Sequence, residues 1–231
     1  YEMIDGTPFD WNNPEHKSNP YANRDPRLAM SILTNNVEFK DRTIEAWTGG
    51  RDGKGVIHAT RTGYYIYKFI DPNLDLLQNR TSVHHWVIMR YAEILLSYAE
   101  AMNEAYGPTG NVGYRLNAVR ALNQVRNRVG VEMPAVPTAI SKEELREKIR
   151  NERRVELAFE DHRFWDVRRW MIAPETLGTP LRGVEITKIS DEEFEYKPIE
   201  VEKRTFEPKM YLYPIPQADL NTTGWVQNPL W

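Results

Sequence analysis

The strongest constraint on the fold of this chain is a run of charged and aromatic residues at helical spacing, Asn151–Trp170. A serine-to-glutamate capping box begins the predicted helix, which covers Ser141–Trp170. At about 100° per residue, one side of this helix carries apolar residues on both sides of Glu152, Glu156 and Arg163. Charges that interrupt an apolar stripe either sit solvated at its rim or are buried, and buried charges need partners.

We interpret these three charges as members of a partly buried ion-pair network that serves the fold. Arginine suits such a network because its planar fork donates two parallel hydrogen bonds to a carboxylate. The candidate partners are Arg90, Arg126, Arg128, Arg153 and Arg154.

The composition excludes several classes of function. The chain has 231 residues and a net charge of −3, which gives no electrostatic reason to expect nucleic-acid binding. It contains no cysteine, so disulfides, thiol catalysis and cysteine-based zinc sites are excluded. No apolar run is long enough to span a bilayer. The first residues show no signal peptide and are typical of the interior of a longer protein.

The distribution of turn residues and helical periodicity predicts one mainly α domain with three segments. Residues 1–85 form a loop-rich segment that we expect to face a ligand, with short regular elements at Leu28–Leu33 and Tyr64–Ile70. Residues 86–172 form a three-helix core. Residues 173–231 form short strands and an extended tail that packs on the same domain.

The helices of the core are predicted at 86–105, Val112–Val129 and Ser141–Trp170. Their short connections favour antiparallel packing similar to that of tetratricopeptide repeats, although the sequence itself shows no repeat. Beyond Pro174 the predicted strands are Val184–Ile189, Phe194–Tyr196 and Met210–Tyr213.

Several segments resemble the SusD/RagB family of nutrient-binding outer-membrane lipoproteins. The resemblance is carried by RYAEILLSYAEAMNEA from Arg90, ALNQVRNRVG from Ala121 and LREKIRNERRVELAFEDHRFWDVRRW from Leu145. The pieces NRDPRL, TGYYIYKF and YLYPIPQADLNTTGWVQNP are also similar to family sequences and occur in the same order. Because family members are considerably longer, the chain resembles their C-terminal part.

The resemblance implies a SusD-like fold and a function at the outer face of a Gram-negative outer membrane. Such proteins capture oligosaccharides or other nutrients and pass them to a SusC-type TonB-dependent transporter, and they are not enzymes. Their lipid anchor would lie N-terminal to this chain. The matching helix residues are implied to be structural rather than ligand-binding: Glu152, Arg153, Glu156, Arg163, Trp165 and Asp166.

The residues themselves point to a ligand surface in the loop-rich segment. Sugars bind flat aromatic faces flanked by polar groups, and Trp47 lies on a glycine-rich loop beside Arg51 and Asp52. Trp11 and Tyr21 are further candidate platforms. For any single aromatic residue the competing interpretation is core packing.

No motif indicates catalysis, a cofactor or a metal site. Glu152 and Glu156 are one helical turn apart and have the residue types of a glycosidase pair, but we expect arginines to hold them. The five histidines show no metal-ligand spacing, and no phosphate-binding or nucleophile motif is present. Besides nutrient binding, two alternatives remain from the residues alone: a helical protein-interaction scaffold without a small-molecule ligand, and a glycoside-active enzyme.

Overall fold

A computed structural model describes residues 1–231 of the chain. The first ninety residues contain little regular structure. The elements of this segment are α1 (Pro14–Ser18), α2 (Arg27–Ser31), β1 (Ile32–Leu33), β2 (Glu38–Phe39), β3 (Arg42–Thr43) and β4 (Tyr65–Ile66). The strands form two short antiparallel pairs, β1 with β4 and β2 with β3. The predicted element at Leu28–Leu33 therefore combines most of a short helix with a strand.

The largest buried core lies among three helices. These helices are α3 (Tyr91–Tyr106), α4 (Ala118–Arg126) and α5 (Lys142–Glu156), and α3 packs against both others. Helix α4 is shorter than predicted because Asn117 caps it, with its side chain accepting a 2.9 Å hydrogen bond from the Arg120 N–H. The thirteen buried core residues are Leu95, Leu96, Ala99, Met102, Ala118, Val119, Ala121, Leu122, Val125, Val136, Leu145, Ile149 and Leu157. The likeness of this packing to tetratricopeptide repeats stays a prediction.

The prediction of one continuous helix over Ser141–Trp170 is wrong. The capping box at its start is present, but α5 ends at Glu156 and a separate helix, α6, covers His162–Arg169. Between them Phe159 and Asp161 have positive φ angles of 63° and 62°, which a right-handed helix cannot accommodate. The helical periodicity of the sequence therefore continues across a break in the backbone.

A β-hairpin dominates the C-terminal segment. Its strands are β5 (Leu181–Lys188) and β6 (Phe194–Glu202), both longer than predicted, and they pair antiparallel. The strand predicted at Met210–Tyr213 is wrong, because a 3₁₀ helix occupies Pro208–Tyr211. The tail also contains helices that were not predicted, α7 (Ala173–Thr176) and α8 (Gln217–Thr223). None of the helices is long and apolar enough to cross a membrane.

Two glutamates of α5 lie inside the protein among arginines. Glu152 is 1% exposed and accepts hydrogen bonds from Arg27 at 2.5 Å and Arg126 at 2.8 Å. Glu156 is 2% exposed and accepts from Arg27 at 2.9 Å and Arg90 at 2.6 Å, with Arg128 at 3.1 Å. Arg27 contacts both carboxylates. It was not among the predicted partners, because it lies more than 120 positions away from them in the sequence. These contacts join the loop-rich segment to the helical core.

Arg163 does not belong to this network, contrary to the sequence prediction. It is half-buried and makes no ion pair or hydrogen bond, and both burial and the charge of Arg154 lower its pKa. The break between α5 and α6 removes Arg163 from the stripe that carries Glu152 and Glu156. The buried pair that links these two helices is Arg153 with Asp166, at 2.9 Å.

Candidate functional site

A cluster of aromatic residues joins the β5–β6 hairpin to the loop-rich segment. The hairpin is held in place by backbone hydrogen bonds from Thr48 N to Ile186 O at 2.8 Å and from Val184 N to Thr62 O at 2.9 Å. Six residues form its buried centre: Leu33, Ile44, Ala46, Val184, Ile186 and Tyr196. Eight partly buried residues pack around them: Trp11, Tyr21, Phe39, Trp47, Tyr64, Tyr65, Tyr67 and Phe194. Three of the predicted ligand residues, Trp47, Trp11 and Tyr21, therefore share one cluster.

Trp47 is a half-buried member of this cluster rather than a fully exposed platform. Its ring lies 5.4 Å from that of Phe194 at an interplanar angle of 33°, and Lys188 Nζ is 5.0 Å from its centroid. The loop that follows turns so tightly that a side chain at Gly53 would collide with the Trp47 carbonyl oxygen. Trp47 thus combines partial core packing with a partly open ring, so both interpretations from the sequence describe part of it.

Asp52 and Arg51, the predicted polar neighbours, differ in their surroundings. Arg42 donates two hydrogen bonds to Asp52, at 2.6 and 2.7 Å, and the Glu45 N–H donates a third at 2.9 Å. The hydrogen bonds from Arg42 hold the pKa of Asp52 below its usual value. This geometry gives Asp52 a structural role in closing the loop. Arg51 is exposed, and its backbone N–H donates to Glu45 at 3.1 Å. Contact of either side chain with a ligand stays a prediction.

Trp11 lies at the edge of the aromatic cluster and faces a wide cleft. Its ring is perpendicular to that of Phe9, with the centroids 5.0 Å apart, and both residues line a cavity of about 1250 Å³. Arg24 lies 4.1 Å from the Phe9 centroid and lines the same cavity. The cleft lies between the N-terminal loop and α5, and both apolar and charged residues line it.

A continuous row of rings connects Trp47 with Tyr21. The row runs from Trp47 to Phe194, then to Tyr196 and Tyr21, with neighbouring centroids between 5.3 and 6.4 Å apart. We call these four residues the aromatic row. Phe194 and Tyr196 were predicted only as part of a strand. Their spacing of two residues places them on one face of β6, and that alternation was the available signal.

A groove opens beside one end of the aromatic row. It has a volume of about 570 Å³ and lies between the loop around Tyr21, the turn at Asn35 and the tip of the hairpin at Glu193. We call it the Tyr21 groove. Its size falls within the range of small-molecule sites in proteins. No group of three or more His, Cys, Asp or Glu residues is arranged to hold a metal ion.

Comparisons with known proteins all find similarity to SusD-like proteins. The family model described as the SusD family matches residues 1–231. SusD-like protein P2 of Formosa agariphila is 34% identical over 120 residues, which cover 50% of this chain and 22% of the relative. SusD-like protein P38 of the same organism is 35% identical over 104 residues, covering 42% of this chain and 19% of the relative.

Two solved structures from Bacteroides fragilis have the same fold. A SusD-like protein superposes with a TM-score of 0.77 at 32% identity, covering 100% of this chain and 45% of the other. A SusD-like carbohydrate binding protein gives a TM-score of 0.76 at 32% identity, with 96% and 45% covered. The chain therefore spans less than half the length of the solved structures that it resembles.

Proposed function

This chain belongs to the SusD family, and from that premise we propose that it is the carbohydrate-binding part of an outer-membrane nutrient-uptake complex. In this proposal it captures an oligosaccharide or similar nutrient at the extracellular face of the membrane. It then passes the ligand to a SusC-type TonB-dependent transporter. The complete protein is held to the membrane by a lipid anchor, binds without catalytic turnover and uses no cofactor.

The observation that carries the proposal is the family match over the whole chain, which includes the aromatic row and the loop-rich segment. A relative of the same fold is described as a carbohydrate binding protein. The partly exposed rings of Trp47, Phe194 and Tyr21 support such a ligand, because sugar rings present C–H faces that pack on aromatic rings while their hydroxyls need polar neighbours. The alternative of a helical scaffold without a small-molecule ligand gains no support from these comparisons.

Within the site we propose that Trp47 is the main stacking surface and that exposed Arg51 donates to sugar hydroxyls. The ring of Trp47 is partly open, and the loop from Gly49 to Gly53 carries Arg51 next to it. Tyr21, at the other end of the aromatic row, and Trp11, at the edge of the aromatic cluster, are the further aromatic contacts in this proposal. Asp52 supports the site from within the protein, because its carboxylate holds Arg42 and the Glu45 backbone in place.

The test is isothermal titration of the 231-residue chain against a panel of neutral and acidic oligosaccharides, followed by the same titration for Trp47→Ala. We expect at least one oligosaccharide to bind, and Trp47→Ala to weaken that binding at least tenfold. Because Trp47 is half-buried, its truncation should also cost about 2 kcal/mol of stability, less than a fully buried aromatic residue. Titrations must therefore be run well below the melting temperature of the variant.

The control is Trp225→Ala, which removes an exposed tryptophan that is not part of the aromatic row. It should leave both affinity and melting temperature close to those of the parent. Absence of binding across the panel would contradict the proposed function. Unchanged affinity in folded Trp47→Ala would instead remove Trp47 from the site.

A further inference from the structure

One face of α3 is apolar and has no partner in this structure. A second face packs into the helical core through Leu95 and Ala99. A third face contacts α6 through Glu100, which accepts hydrogen bonds from Arg169 at 2.5 and 2.7 Å. The remaining face consists of Tyr91, Ile94, Tyr98, Ala101 and Ala105. We call these five residues the α3 stripe.

The spacing of the α3 stripe is that of a surface on which another helix packs. Its residues follow one another at intervals of three, four, three and four, which keeps all five within about 80° of the helix circumference. Tyr91 is 69% exposed and Ile94 is 48% exposed, and both alanines are exposed as well. No charged residue interrupts the stripe, and the small side chains at one end allow a second helix to approach closely.

A groove of about 640 Å³ runs beside the first half of the stripe. It lies between α3 and residues 114–116, and the Tyr98 hydroxyl crosses to that segment by donating to Leu116 O at 2.9 Å. Arg115 and Arg120 line the groove, and both are exposed and form no ion pair. The groove therefore combines an apolar floor with positive charge at its edge.

We propose that the α3 stripe and this groove hold an amphipathic helix from the part of the full-length protein that precedes Tyr1. Soluble proteins rarely leave a contiguous apolar face of this kind uncovered. The match to a solved relative includes 100% of this chain but only 45% of the relative, so more than half of such a protein is available to supply the cover. A helix of the same polypeptide also has a high effective concentration at the stripe, which a separate partner lacks.

The shape and charge of the surface specify the side chains of that helix. Large apolar residues pack opposite the two alanines, and smaller ones pack opposite Tyr91 and Ile94, because close packing requires complementary volumes. An aspartate or glutamate on the flank of the helix pairs with Arg115 or Arg120. This inference rests on the length of the solved relatives and on the exposed face, and it does not depend on ligand binding.

The test uses cysteine substitutions in the full-length protein, because residues 1–231 contain no cysteine. The rate of reaction of Ala101→Cys with a maleimide is measured in the folded protein and in urea, after subtraction of labelling in the unsubstituted parent. We expect the folded protein to react at least tenfold more slowly. The matched control is Ala218→Cys on α8, another exposed helical alanine, which should react at similar rates in both conditions.

The oligomeric state of the labelled sample identifies what covers the stripe. Slow labelling of Ala101→Cys in a monomer supports the proposal, because residues 1–231 leave the stripe open. Slow labelling that is lost when a dimer dissociates on dilution assigns the stripe to a second copy and overturns the proposal. Similar rates in the folded protein and in urea also overturn it and leave the stripe for a separate partner. None of these outcomes involves an oligosaccharide, so the proposed function is tested separately.

Discussion

Removing the carboxylate of Glu156 should destabilise the protein more than any change at a surface ion pair. Its side chain is 1% exposed and lies within 3.1 Å of guanidinium nitrogens from Arg27, Arg90 and Arg128. Burial of the carboxylate raises its pKa, but hydrogen bonds from Arg90 and Arg27 outweigh that effect and lower the pKa from 4.5 to about 2. The ionised form is therefore strongly favoured in the folded state.

The size of the effect follows from that pKa. A tenfold change in proton affinity is worth about 1.4 kcal/mol, so the lowering corresponds to about 3 kcal/mol of stability at neutral pH. Because the folded-state pKa is below the unfolded one, this contribution is fully present above pH 4.5 and is lost as the pH falls towards 2. Truncation also leaves three arginines without a shared partner, and breaking such a buried pair typically costs about 3–5 kcal/mol.

The assay is urea unfolding of the parent, Glu156→Ala and Glu156→Gln between pH 7 and pH 2.5. We expect both variants to lose about 3–5 kcal/mol at pH 7. The difference between the parent and Glu156→Gln should shrink as the pH falls below 4.5, the unfolded-state value. The control is Glu104→Ala, which removes an exposed carboxylate bound by Arg146 at 2.6 and 2.7 Å and should cost less than about 1 kcal/mol. Equal losses for Glu156→Ala and Glu104→Ala, or a difference that does not depend on pH, would refute the reasoning.

Two further predictions concern neighbouring features. Arg163→Gln should change the free energy of unfolding by less than about 1 kcal/mol, because the Arg163 side chain has no partner. Arg153→Gln should cost about 1.5–3 kcal/mol, because it removes a charged hydrogen bond from buried Asp166 and leaves that carboxylate with Arg169 alone. Chemical denaturation of the two variants measures the contrast, and equal losses would restore Arg163 to the network. Gly53→Ala should disturb the loop behind Trp47, since the added methyl group meets the Trp47 carbonyl oxygen, and a change in tryptophan fluorescence together with a lower melting temperature would show it.

The helical part of the fold was accessible from the sequence because local signals specify it. The stripe that surrounds Glu152 and Glu156 with apolar residues placed both side chains towards the interior. The capping box at Ser141 correctly marked the start of α5. Its end was missed, because the left-handed conformations at Phe159 and Asp161 have no local sequence signature such as glycine or proline.

The aromatic row that we propose as a binding surface was less accessible from the sequence, because it depends on contacts between distant parts of the chain. Trp47 and Tyr21 were identified as isolated aromatic residues, but the hairpin residues Phe194 and Tyr196 that join them lie about 150–175 positions further along the chain. Arg27 was missed as a partner of Glu156 for the same reason. Residue type and local spacing indicate which side chains are able to form ion pairs or bind a ligand. The path of the backbone determines which of these side chains come into contact.

The bonds between Arg27 and α5 have a consequence for how the molecule folds. They close loops of 125 and 129 residues, and the bond from Arg126 to Glu2 closes one of 124. A folding intermediate with the helices formed but the first thirty residues still unstructured would hold Glu152 and Glu156 without Arg27. Such an intermediate is disfavoured, so the irregular segment and the helices are expected to unfold in a single cooperative transition. The near-ultraviolet signal of the aromatic residues and the far-ultraviolet signal of the helices should then disappear at the same denaturant concentration. Separate midpoints would show that the segment detaches on its own.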